Sequence, residues 1–111
     1  MSEPAQVFGL PQASVDAIKA VLSRHPGVVR AAIYGSRAKG NFRHGSDIDL
    51  ALFGDSLTAR ELLAIDGAID DLDLPYTVDL SLFAKIEDAA LRSHIERVGQ
   101  DLYRRAAVEA G

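Results

Sequence analysis

The chain has 111 residues, a formal net charge of −4 at pH 7 and no cysteine. The missing thiols exclude disulfides, a thiolate zinc site and a cysteine nucleophile, and the acidic balance argues against direct nucleic-acid binding, which needs a basic field. The N-terminus has neither the basic nor the apolar region of a secretory leader, and no run approaches the ~18 apolar residues of a membrane span. The expectation is therefore one cytoplasmic domain, residues 1–111, with an aliphatic core.

Met1 to Leu10 reads as a loose leader. Pro11 to Arg24 has the spacing of an amphipathic helix, with Val15, Ile18, Val21 and Leu22 as its apolar stripe. Pro26-Gly27 ends it, and Val28 to Tyr34 follows as a first strand closed by Gly35-Ser36. Arg37 to Phe42 suits a turn or two of helix, because Gly40 and Gly45 bar a longer one. Ile48 to Phe53 alternates as a second strand. Gly54-Asp55-Ser56-Leu57 spells the string of a lipase family but lacks the His and Asp context, and reads as a loop. Thr58 to Glu61 has capping-box spacing and opens a helix to about Leu72, which Pro75 prevents from continuing. Tyr76 to Phe83 is a third strand, Glu87 to Val98 a last helix, and Gln100 to Arg104 a short edge strand beyond Gly99. Together these elements predict a small α/β (α+β) domain, a mixed three- or four-stranded sheet with helices packed mainly on one face.

The chemistry is concentrated between Ala31 and Phe53. Along the second strand Ile48, Leu50 and Leu52 point one way and Asp47, Asp49, Ala51 and Phe53 the other. The two carboxylates thus share a face, with Cα atoms roughly 6.5–7 Å apart. Like charges ~4 Å apart repel by about 4 kcal/mol at an effective dielectric of ~20, and the strand offers them no basic partner. A bound dication resolves this, since Mg²⁺ takes carboxylate oxygens together with substrate phosphates. For the Gly35-Ser36 turn and the Asp pair to share one site, the first two strands must run antiparallel. Asp79 alternates against Val78, Leu80 and Leu82, in the same phase as Asp47 and Asp49. A charge amid an apolar strand is costly unless paired or metal-bound, so Asp79 is the candidate third carboxylate. Arg37, Lys39 and Arg43 either touch a bound triphosphate or stand solvated. No His cluster has metal-ligand spacing.

Gly35-Ser36, the intervening residues 37–46, then Asp47-x-Asp49 resembles the signature of the DNA polymerase β-like nucleotidyltransferase superfamily. Its compact form is most similar to the minimal nucleotidyltransferases that act as antitoxins of HEPN-domain toxins, over roughly residues 28–103. That resemblance implies a nucleotidyltransferase fold and transfer of AMP from ATP with release of pyrophosphate. It implies two Mg²⁺ ions, ~3.5–4 Å apart in the two-metal scheme, on Asp47, Asp49 and Asp79 as catalytic and metal-binding residues. Nucleotide binding falls to Gly35, Ser36, Arg37, Lys39 and Ser46. The implied acceptor is a tyrosine of a HEPN-type ribonuclease toxin. Two other readings stay open: transfer to a small molecule such as an aminoglycoside, and a non-catalytic antitoxin that neutralises its partner by binding.

Overall fold

The structure is a computed structural model and describes residues 6–40 and 47–105. It opens on a hairpin, β1 (Gln6–Val7) against β2 (Leu10–Pro11), turned through Phe8 at φ 57° and Gly9 at φ 74°. Positive φ at both central residues matches the right-handed twist of paired strands. Residues 6–10 of the expected loose leader thus lie in a hairpin; Phe8 is an unusual residue for that conformation, which is why the sequence hides the turn.

Helix α1 (Gln12–Ser23) follows, with Val15, Ile18, Val21 and Leu22 buried as its spacing predicts. Next come β3 (Arg30–Tyr34), the four-residue helix α2 (Ser36–Lys39) and β4 (Ile48–Phe53). Helix α3 (Ala59–Asp70) leads across to β5 (Val78–Leu82). A single 3₁₀ turn (Phe83–Lys85), α4 (Ala89–Val98) and β6 (Gln100–Arg104) complete the described chain. Among the described residues no helix is long and apolar enough to cross a membrane.

The main sheet has the order β5-β4-β3-β6. Strand β3 runs antiparallel to both β4 and β6, whereas β4 and β5 are parallel. A parallel pair needs a crossover, and α3 supplies it. Gln100 to Arg104 is an edge strand, as expected, and its Asp101 joins Arg30 and Arg104 in an ion-pair cluster.

The period of two in each strand divides the apolar side chains between two faces. Ala31, Ile33, Ile48, Leu50, Leu52 and Leu82 join α1 and α3 in the larger core. There Ile18, Leu22, Ile33 and Leu50 are wholly buried, each stabilising the fold by about 1.5–3 kcal/mol. On the opposite face Tyr34 and Ala51 pack with Ile95, Leu91 and Val98 of α4. Two helices therefore cover one face and α4 covers part of the other.

At the start of α3 the Thr58 side chain accepts a hydrogen bond from the Glu61 amide at 3.1 Å. The Glu61 carboxylate does not close the reciprocal half of a capping box; it faces His25 Nδ1 at 3.4 Å. Thr58→Ala is accordingly expected to cost about 1 kcal/mol, read as a lower urea midpoint at unchanged m-value. The Gly54 string is structural: a Cβ there would collide with the Gly27 carbonyl, so the loop after β4 requires glycine to pass that backbone.

Candidate active site

Strand register builds the site. Tyr34, the last residue of β3, lies opposite Asp49, and Asp49 lies beside Asp79 of β5. Register partners point to the same side of a sheet, ~4.8 Å apart between neighbouring strands. Tyr34, Asp49 and Asp79 therefore form a row across three strands, on the face that α4 only partly covers. Asp47 sits just before β4 and is exposed, as is Asp79; Asp49 is half-buried between them.

The turn after β3 comes directly onto this row. Gly35 has φ +78°, and a Cβ built on it would stand 2.6 Å from Asp49 Oδ2. The glycine thus has two requirements, a left-handed backbone and the absence of a side chain where the carboxylate lies. Ser36 is the first residue of α2, whose opening turn is closed by the Lys39 amide donating to the Gly35 carbonyl at 3.2 Å. The Gly35-Ser36 turn, Asp49 and Asp79 thus lie together at one end of the sheet, with the first two strands of the motif antiparallel.

Burial raises the pKa of Asp49 above the ordinary carboxylate value, and the charges of Asp79 and Asp47 raise it further. Among the described residues no cation is paired with these three acids. Among the described residues no group of three or more His, Cys, Asp or Glu side chains is placed to hold a metal ion. Mg²⁺ takes only one or two carboxylates, with waters and substrate phosphates completing its shell, and the neighbouring Asp49 and Asp79 are donors of that kind.

Two neighbours on this face escaped the sequence reading. Tyr34 is 8 % exposed. Its phenol is pushed up in pKa, first by burial and then by Asp49 and Asp79, while contact with the Ser81 hydroxyl pulls it back. The ring of His94 from α4 meets Tyr34 edge-on at 6.2 Å. The available signal was phase, since Tyr34 ends the strand that delivers Gly35 and Ser81 follows Asp79 by two residues.

The expected phosphate-facing cations separate. Lys39 is exposed at the end of α2. Arg37 is turned inward: it is 3 % exposed, donates from Nη1 to the Phe8 carbonyl at 3.0 Å, and lies over the Tyr76 ring. Its guanidinium thus engages the hairpin and the segment before β5. Arg43 and Ser46 lie outside the described residues.

An antiparallel strand pair carrying a Gly-Ser turn at one end and Asp-x-Asp opposite is the arrangement that the resemblance to nucleotidyltransferases implies. The chain belongs to that family: the profile described as polymerase beta, nucleotidyltransferase matches residues 16–107. Among solved structures, it is similar to a toxin–antitoxin complex with AMP-PNP, at 22 % identity and a TM-score of 0.66, covering 82 % of this chain and 73 % of the other. It is similar also to the MntA-HepT toxin–antitoxin, at 21 % identity and a TM-score of 0.62, covering 85 % and 73 %. A third is the tri-AMPylated Shewanella oneidensis HEPN toxin in complex with its MNT antitoxin, at 21 % identity, a TM-score of 0.63 and coverage of 85 % and 72 %. No curated protein matches the sequence.

Proposed function

We propose that this protein is an antitoxin that transfers AMP from ATP to a tyrosine of a HEPN-type ribonuclease toxin. The observation that carries the reading is the packing of the Gly35 turn against Asp49, in line with Asp79. Support for the acceptor comes from the structural neighbours, among them a toxin–antitoxin with AMP-PNP and an AMPylated HEPN toxin with its antitoxin.

Asp47, Asp49 and Asp79 would hold Mg²⁺, which when bound neutralises charge on the triphosphate and favours the ionised acceptor hydroxyl. The turn amides after Gly35 and the Ser36 hydroxyl bind the phosphates and hold the α-phosphorus in line with the acceptor. Lys39, exposed beside the turn, adds positive charge for the triphosphate. The tyrosine oxygen bonds to the α-phosphorus as the α,β-bridging bond breaks and pyrophosphate leaves. We assign the phenolic proton to Asp79, exposed on the edge strand. An AMP group near a ribonuclease site adds bulk and negative charge where an RNA phosphate must bind, so both occlusion and repulsion silence the toxin.

Co-expression with a HEPN-type partner, followed by intact-mass spectrometry, is expected to show the partner heavier by one or more AMP units and inactive on RNA. With the double variant Asp47→Asn, Asp49→Asn the mass stays unmodified and cleavage returns. Neutralisation at unchanged mass would establish occlusion instead, and label found only on a small acceptor would redirect the enzyme to small molecules.

A further inference from the structure

We infer that Arg37 is a positioning residue through which the N-terminal hairpin sets the geometry of the nucleotide-binding turn, an inference resting on the function proposed above. Helix α2 spans only four residues, so its own hydrogen bonds do not fix its orientation. Its fixation comes from three separated parts of the chain. Arg37 Nη1 donates to the Phe8 carbonyl at the tip of the β1–β2 hairpin, at 3.0 Å. The same guanidinium lies 5.1 Å from the centre of the Tyr76 ring, on the segment that leads into β5. At the other end of α2, Gln100 Nε2 of β6 donates to the Ala38 carbonyl at 2.9 Å.

The hairpin side of this clamp is shaped for the contact. Phe8 has φ 57°, a left-handed conformation uncommon outside Gly, Asn and Asp. In that conformation its carbonyl accepts from Arg37. A charged donor at 3 % exposure strongly constrains what surrounds it, because losing its acceptor leaves a buried charge with less compensation. The clamp therefore holds the segment directly after Gly35, where a small error in the position of the phosphates is amplified in the rate.

The test uses the full chain, with the KM for ATP, kcat and the melting temperature measured on each variant. Phe8→Pro forbids the positive φ and moves the carbonyl without touching a motif residue. Arg37→Lys keeps the charge but loses the planar fork. Gln100→Ala removes the second anchor at an exposed position and keeps the test decisive if a buried variant fails to fold. Each is expected to lower kcat/KM for ATP about tenfold or more, since misplacement near 1 Å costs on the order of 10²-fold in rate. Combining Phe8→Pro with Arg37→Lys is expected to add little to the larger single effect, because both break one contact. Lower melting temperatures with kcat/KM unchanged would overturn the inference and leave Arg37 a purely stabilising residue. Absence of transfer by the natural chain itself would count against the proposed function and is thereby distinguished.

Discussion

Asp49→Asn is expected to reduce nucleotidyl transfer by about 10³-fold or more, the scale of losing a preorganised charge at the reacting centre, while the metal-free protein becomes more stable at neutral pH. The two effects share one cause. Asp49 is desolvated and faces the charges of Asp79 and Asp47, so its pKa in the folded state lies above its unfolded value. Folding thus favours the protonated carboxyl. Stability from this group rises as pH falls through the folded pKa toward the unfolded one, and above the folded pKa the ionised carboxylate subtracts from stability. Asn cannot ionise, so the advantage of the variant is largest at neutral pH and shrinks on acidification. Urea midpoints in EDTA at neutral pH and at a pH near the ordinary carboxylate value measure it. Mg²⁺ should reverse the order, raising the melting temperature of the natural chain and not that of the variant. A folded Asp49→Asn protein that transfers as well as the natural chain would remove the carboxylates from the mechanism.

Gly35 gives the second large effect. At φ +78° any L-residue is strained, and the added Cβ would press on Asp49 Oδ2 at 2.6 Å. Gly35→Ala is expected to destabilise by about 1–3 kcal/mol, the range for a strained backbone residue. Transfer should fall about 10²-fold, because the turn can accept the Cβ only by moving away from the carboxylate. Gly35→Val should do worse. Gly40 provides the control: its φ is +84°, yet a Cβ there would meet nothing within 4 Å. Gly40→Ala therefore carries the conformational cost without the contact. Equal losses of kcat/KM in Gly35→Ala and Gly40→Ala would show that backbone conformation, and not the approach to Asp49, is what matters.

Features carried by periodicity and spacing were legible before the structure. The stripe Val15, Ile18, Val21 and Leu22 is the buried face of α1, and the alternation from Ile48 sets Asp49 against the core residues Leu50 and Leu52. The common phase of Asp49 and Asp79 becomes direct adjacency because the α3 crossover makes β4 and β5 parallel and in register. Contacts between residues far apart in sequence were not legible. A Phe-Gly turn gives no hairpin signal of the Asn-Gly kind, so the hairpin was hidden. The contacts of Arg37 with the Phe8 carbonyl and the Tyr76 ring are of this kind. Tyr34 reads as an ordinary end of a strand until its register with Asp49 places it among the acids.

The strand order has a consequence for motion. Strand β4 is flanked on both sides, whereas β5 is the last strand of the sheet. Backbone amides of an inner strand open only in large cooperative events, while an edge strand opens locally at much lower free energy. Asp49 is thus mounted on an inner strand and Asp79 on an edge strand, the kind that opens more readily. The row of carboxylates therefore joins a firmly held member to a more compliant one.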